Sequence, residues 1–150
     1  MNEPVRNRVD RVMERIVAAA RRSGRRPEAI RLMAVTKTVE KERILEAVAA
    51  GVQIIGENYV QEARQKIESL GRVAQWHLIG HLQTNKARYA ARLFHSVDTI
   101  DRIEAAEALN QRCSLERRVM PVLIEVNTGG EATKRGVAPQ DALELIRRIA

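Results

Sequence analysis

The sequence contains little cysteine, few aromatic residues and no long apolar segment. The single cysteine, Cys113, excludes an internal disulfide and fits a reducing cytoplasm, where thiols stay free. No apolar run approaches the roughly 18 residues of a membrane span, and the first residues lack the apolar region of a secretory signal. We therefore expect a cytoplasmic protein that does not contact a membrane.

Positive charge is abundant, but it is not concentrated in one segment. The net charge of +7 comes mainly from arginine, while aromatic residues make up only 3% of the chain. The arginine pairs are dispersed and mixed with glutamate, which is typical of solvated helix ends. A basic nucleic-acid-binding module is thus the weaker interpretation, and we expect no nucleic-acid partner. The pairs are Arg21-Arg22, Arg25-Arg26, Arg117-Arg118 and Arg147-Arg148.

Hydrophobic periodicity predicts strands and helices in alternation. Five strands alternate with five helices after one leading helix, and such alternation favours a parallel sheet with helices outside it. Asp101 is a plausible N-cap for the helix after the fourth strand. The predicted strands are 32–35, 52–56, 75–79, 93–97 and 119–126, and the predicted helices are 5–20, 39–50, 58–70, 84–92 and 102–113, with a last helix near Pro139.

Two architectures fit this alternation, an open Rossmann-like sheet and a closed (β/α)8 barrel. No G-x-G-x-x-G motif follows the first strand and no Walker A sequence occurs, so a dinucleotide or nucleotide fold loses support. A (β/α)8 barrel has eight strands and about 200 or more residues. We therefore expect residues 1–150 to form one TIM-type barrel domain that contains about five βα units and is truncated at its C-terminal end.

Ligands of parallel α/β folds bind at the carboxyl ends of the strands. Lys37 follows the first predicted strand directly, so we expect apolar residues to surround the base of its side chain. Burial would favour a neutral amine, which can add to an aldehyde and form an imine. The alternative is a lysine that extends from a strand end into solvent.

Several long motifs in the same order closely resemble the pyridoxal phosphate homeostasis protein family. The resemblance covers essentially residues 5–150. The motifs are Val35-Thr36-Lys37-Thr38, Gly56-Glu57-Asn58-Tyr59-Val60-Gln61-Glu62, the run from Trp76 to Lys86, and Asn127-Thr128-Gly129-Gly130-Glu131 with Lys134 and Gly136.

The resemblance implies a barrel like the N-terminal domain of alanine racemase, with pyridoxal 5′-phosphate (PLP) attached to Lys37. We expect Asn58, His77, Ile79 and Asn127 to complete the cofactor site. Each has a plainer alternative: a helix N-cap for Asn58, a hydrogen-bonded core histidine for His77, core packing for Ile79 and a polar turn for Asn127. Glu57 would either orient a loop or pair with a nearby base, or lie in the first turn of a helix. No metal site is expected.

The function implied by the resemblance is PLP homeostasis, meaning that the protein binds, stores or delivers the cofactor without established catalysis. Its expected partners are PLP and PLP-dependent apo-enzymes, and we expect a monomer. One departure from the family is large, because the family's phosphate cradle, a glycine-rich strand end with serine and an Arg-Ile-Gly turn, does not occur in residues 1–150. We therefore expect this chain alone to bind PLP weakly and to fold poorly.

Two enzymatic alternatives stay open at this point. A PLP-dependent amino-acid racemase needs a second acid or base on the opposite face of the substrate. The chain has only Tyr59 and Tyr89 as tyrosines, and both lie on predicted helices. A Schiff-base aldolase would use Lys37 on carbonyl substrates without any cofactor.

Overall fold

The structure is a computed structural model that describes residues 3–131 and 133–150. Its regular elements alternate in the expected order after the leading helix. The strands are β1 (Met33–Val35), β2 (Ile54–Glu57), β3 (Gln75–Leu78), β4 (Ser96–Ile100) and β5 (Val122–Ile124). The helices are α1 (Val5–Arg22), α2 (Lys41–Ala49), α3 (Val60–Leu70), α4 (Ala87–Leu93), α5 (Ile103–Leu115) and α6 (Ala142–Ile149).

The strand order decides between the two architectures left open by the sequence. All strand pairs are parallel, and the order in the sheet is β1-β2-β3-β4-β5. A doubly wound sheet reverses its strand order at a switch point, whereas a barrel adds each new strand beside the previous one. The described strands therefore follow the sequential order of a (β/α)8 barrel.

A hydrophobic core lies between the sheet and the helices. Ile55, Trp76, Leu78 and Val97 are buried there with Phe94, which follows α4. Ile55 is paired with Trp76 and Ala34 across the first three strands, and side chains of paired parallel residues lie on the same face. This face is consequently the one covered by helices, and the opposite face is the concave one.

Three local predictions at the ends of elements were wrong. The strand expected over 93–97 begins only at Ser96, because Leu93 ends α4 and Phe94 packs into the helix-facing core. Asp101 is not the N-cap of α5; that position is Arg102, whose guanidinium binds the Asp101 carboxylate at 2.7 Å. The strand expected over 119–126 is limited to Val122–Ile124, with a further bridge between Val126 and Val137.

Cys113 is a free cysteine that is buried on α5 and packs within the hydrophobic core. Burial raises the pKa of its thiol, so little reactive thiolate forms near neutral pH. Within residues 3–131 and 133–150, no helix combines the length and the apolar character required to cross a lipid bilayer.

Candidate site at the carboxyl ends of the strands

One row of paired residues defines the concave face of the sheet. Val35, Gly56, His77 and Ser96 are register partners across the first four strands. They alternate with the buried residues of the helix-facing core, so their side chains belong to the other face. A predicted ligand residue of β1 to β3 lies on the concave face if its side chain is on the same side of the sheet as this row.

Lys37 follows β1 at the carboxyl edge of the sheet. The ladder continues to Thr36, whose N–H donates to the carbonyl of Gly56, and the Thr36 side chain lies on the helix-facing side. Lys37 itself lies in a turn that the Val39 N–H closes by donating to the Thr36 carbonyl. The prediction that apolar residues bury its base was wrong for the described residues, because Lys37 is exposed in the turn that follows β1 and Val35 is also half exposed.

Beneath Lys37 lies a buried polar network that the sequence did not reveal, centred on Lys66 of α3. The Lys66 ammonium donates three hydrogen bonds, to the Thr36 carbonyl at 2.5 Å, to Glu57 Oε1 at 2.8 Å and to Glu62 Oε1 at 2.7 Å. Lys66 is 7% exposed and Glu57 is fully buried. Since breaking a buried ion pair from one side costs about 3–5 kcal/mol, this network is a strong local constraint.

The sequence left open whether Glu57 pairs with a nearby base or lies in the first turn of a helix. It is the last residue of β2 and not a first-turn residue of α3, and it pairs with the nearby base Lys66. The same oxygen, Oε1, accepts a hydrogen bond of 2.5 Å from the Thr36 hydroxyl. Glu57 thus binds the residue immediately before Lys37.

The residue after Lys37 is held from the same helix. Thr38 has a φ of 59°, which is uncommon for a β-branched residue. Its N–H donates to Glu62 Oε1 at 2.6 Å, so α3 stabilises this strained backbone. Both neighbours of Lys37 are consequently fixed by side chains of β2 and α3.

An apolar surface adjoins this segment on the concave face. A Cβ atom at Gly56 would lie 2.8 Å from Met33 Sδ and 2.9 Å from Ile79 Cδ1, so these two side chains converge over the glycine. The Ile79 N–H extends the ladder by donating to the Glu57 carbonyl. Ile79 therefore lies on the concave face beside Met33, a position that fits either core packing or contact with a ligand.

Asn58 lies beside this surface, at the end of β2. The N-cap of α3 is Tyr59 and no side chain caps that helix, so the N-cap alternative for Asn58 is wrong. Within the described part of the chain, the Asn58 side chain makes no hydrogen bond. The amide is thus available to a ligand near Lys37.

His77 is hydrogen-bonded on the concave face. Its Nδ1 lies 2.9 Å from Asp98 Oδ2, and Ser96 donates to the other oxygen of Asp98. This contact fixes the imidazole plane and agrees with the alternative of a hydrogen-bonded histidine. It leaves Nε2 as the nitrogen that could face a ligand.

Asn127 stands apart from the other candidates. Its Nδ2 donates to the carbonyls of Glu131 and Lys134, and its Oδ1 accepts from the Gly130 N–H. The amide therefore closes the loop that follows β5, as the polar-turn alternative holds. The structure brings Lys37, Asn58 and Ile79 to neighbouring strand ends, but it commits Asn127 to its own loop.

Three basic side chains, those of His81, Arg102 and Arg135, lie together beyond the carboxyl end of β3. Arg102 Nη1 lies 3.5 Å from His81 Nδ1, and Arg135 Nη1 lies 3.2 Å from His81 Nε2. Partial burial, followed by the charges of these two arginines, lowers the pKa of His81, while Asp101 opposes the shift. Among residues 3–131 and 133–150, no three His, Cys, Asp or Glu side chains are grouped so that they could hold a metal ion.

Comparison with known proteins agrees with this geometry. A sequence profile described as alanine racemase, N-terminal domain, matches residues 8–150. The chain belongs to the alanine racemase N-terminal domain family. The resemblance that the motifs indicated is confirmed by a relative in Vibrio alginolyticus, a pyridoxal phosphate homeostasis protein that is 39% identical over 151 residues. That match covers 97% of this chain and 65% of the relative.

Solved structures of this family confirm the fold class. PipY from Synechococcus elongatus, with PLP bound, matches with a TM-score of 0.75 and 31% identity over 91% of this chain and 63% of PipY. Alanine racemase from Corynebacterium glutamicum shares the fold alone, with a TM-score of 0.67 and 15% identity over 96% of this chain and 39% of that enzyme. The chain thus spans less than two thirds of these curated and solved relatives, and its five parallel strands form part of a barrel.

Proposed function

We propose that this family member binds pyridoxal 5′-phosphate covalently through Lys37 and contributes to PLP homeostasis as a carrier of the cofactor. The observation that carries the proposal is the placement of an accessible amine at the carboxyl end of β1 on a backbone fixed at both neighbours. The name of the Vibrio relative and the PLP in PipY support the choice of ligand.

The residues around Lys37 fit the aldehyde and the ring of this cofactor. The amine adds to the aldehyde carbon, and water leaves as the imine forms. The apolar surface formed by Met33 and Ile79 over Gly56 suits one face of a planar ring. Asn58 offers an amide without a hydrogen-bond partner among the described residues.

The phosphate group of PLP needs binding groups of its own. A dianion needs backbone N–H groups or cations around it, and the family's glycine-rich cradle has no counterpart in residues 1–150. We therefore propose that this chain uses Lys37 for covalent attachment and retains the cofactor weakly. Tight stoichiometric uptake of PLP by the chain would contradict that part of the proposal.

A carrier role is proposed in preference to racemisation. Tyr89 lies on α4 against arginines, 4.5 Å from Arg88 Cζ and 5.5 Å from Arg64 Cζ to the ring centroid, which places it in the helical layer. Tyr59 was expected on a helix but directly precedes α3, where it is exposed. Of the two tyrosines, Tyr59 is therefore the one that lies outside the helical layer.

Titration with PLP followed by an amino-acid racemase assay separates the alternatives. We expect a visible imine absorbance that saturates with PLP, is absent in Lys37→Arg, and is not accompanied by racemisation of several L-amino acids. Robust turnover that disappears in Tyr59→Phe would support a racemase instead. Imine formation with simple carbonyl substrates but not with PLP would support an aldolase.

The remaining parts of the proposal concern partners and location. We propose that the recipients are PLP-dependent apo-enzymes, that the chain acts as a monomer, and that it works in the cytoplasm, where its single thiol would stay reduced. Transfer of PLP to an apo-enzyme, measured as recovered activity of that enzyme, tests the first of these points. Failure to raise its activity above that given by Lys37→Arg would contradict delivery.

A further inference from the structure

The buried network under Lys37 contains a charged pair, Lys66 and Glu57, that the packing of α3 against the sheet does not require. Glu57 Oε2 is buried without a hydrogen-bond partner among the described residues, and Lys66 and Glu57 both lie within the helix-facing layer. Replacing such a pair with apolar residues often leaves stability unchanged or improves it. A buried lysine and glutamate are therefore more readily explained by what they hold in place.

What they hold is the backbone on either side of Lys37. Lys66 and Glu57 bind the carbonyl and the hydroxyl of Thr36, and Glu62 binds the N–H of Thr38. Lys66 joins the two carboxylates through Oε1 of each. The three side chains thus form one bracket, which we call the Lys66 bracket, around a single residue.

A lysine side chain has four flexible bonds, so its amine reaches a defined position only if its Cα is fixed. Lys37 lies in the turn that follows β1 and is exposed there. The Val39 N–H closes this turn by donating to the Thr36 carbonyl at 3.0 Å, and the left-handed φ of Thr38 carries strain that a further partner would offset. The Lys66 bracket supplies that partner.

We propose that Lys66 is a positioning residue for the Lys37 amine, because its ammonium joins Glu57, Glu62 and the Thr36 carbonyl and so fixes the Thr36–Thr38 segment. The inference about the amine rests on the proposed function. The inference about the backbone stands on the hydrogen bonds alone and is tested separately.

The experiment compares wild type with four variants. Lys66→Met removes the ammonium and Lys66→Arg restores a cation at the same place, while Glu62→Ala releases Thr38 without leaving Lys66 unpaired. Arg64→Met is the matched control, since Arg64 lies on the same helix and forms an exposed ion pair with Glu68. Each form is first checked for folding by circular dichroism.

The first measurement needs no cofactor. We expect amide hydrogen exchange at Thr38 to rise at least tenfold in Lys66→Met and Glu62→Ala, and to stay unchanged in Arg64→Met. Should Lys66→Met fail to fold, Glu62→Ala carries this test. Unchanged exchange at Thr38 in a folded Lys66→Met, or in Glu62→Ala, would overturn the proposal, whatever PLP does.

The second measurement follows PLP. We expect Lys66→Met to trap at least tenfold less pyridoxyl group on Lys37 after borohydride reduction at subsaturating PLP, and we expect Lys66→Arg to recover part of that loss. Equal trapping in Lys66→Met and wild type would overturn positioning of the amine. Wild type that traps nothing on Lys37 would refute the proposed function instead, and the exchange data alone would then decide the role of the bracket.

Discussion

Gly80 packs directly on the backbone of Asn58. A Cβ atom at Gly80 would lie 2.0 Å from the Asn58 carbonyl oxygen, a distance that no side chain tolerates. The end of β2 and the segment after β3 can approach this closely only because residue 80 has no side chain. The contact joins the segments that follow β2 and β3, so it shapes the carboxyl edge of the sheet.

Gly80→Ala should therefore destabilise the protein. Overpacking of this kind costs about 1–3 kcal/mol, and here the obstacle is backbone that cannot rotate away. Urea unfolding measures the loss. Gly129→Ala is the control, because its Cβ would meet only the Glu131 side chain at 3.5 Å, and its effect should stay within about 0.5 kcal/mol. Equal stabilities of the two variants would contradict the close contact.

Glu62 should contribute stability that disappears in acid. Its pKa lies below the ordinary value chiefly because Lys66 donates a hydrogen bond to it; partial burial opposes the shift and the Thr38 N–H adds to it. A carboxylate with a lowered pKa in the folded state stabilises fully above its unfolded pKa of about 4.3, and the contribution is lost as the pH falls through the folded value. Lys66 and Glu57 are the charged groups next to it.

The free energy of unfolding of wild type and Glu62→Gln, measured between pH 7 and pH 3, tests this point. We expect wild type to be the more stable at pH 7 and the difference to shrink below about pH 4. Glu107→Gln, at an exposed position of α5, should show no such pattern. A difference that grows in acid would have the wrong sign for a lowered pKa.

The pKa of His81 should rise when a neighbouring positive charge is removed. Burial, Arg102 and Arg135 together lower the pKa of His81, so Arg135→Gln should raise it. An NMR titration of the His81 ring protons gives the value directly. Arg22→Gln, at the end of α1, removes the same charge elsewhere and should leave the titration unchanged. No rise in Arg135→Gln would show that the arginine does not act on His81.

Hydrophobic periodicity was sufficient to predict the order and type of the elements, because each helix and strand carries its own apolar pattern. The same pattern was less reliable at Leu93 and Phe94, because apolar residues at the end of a helix resemble the start of a strand. Exposure of Lys37 also escaped prediction, because it depends on which residues surround the turn after β1 in the folded chain. Position at a strand end predicted where Lys37 lies in the fold, but not its surroundings.

The sequence of α3 contains a signal for the Lys66 bracket. Lys66 is three residues after Ala63 and next to Ile67, so it interrupts the buried face of α3 with a charge, and Glu62 is four residues before it. A lysine on an apolar helix face implies a buried partner. That the partner is Glu57 of β2 depends on the register of two elements, which local pattern does not specify.

The central claim is that Lys37 is the residue to which PLP attaches, and borohydride reduction followed by peptide mass spectrometry tests it most directly. Reduction also traps weakly bound cofactor, so the method does not depend on tight retention. We predict that the pyridoxyl group is found on Lys37 well above Lys41, Lys86 and Lys134, and that Lys37→Arg removes it. Labelling distributed evenly over the lysines, or a major label that persists in Lys37→Arg, would contradict the account.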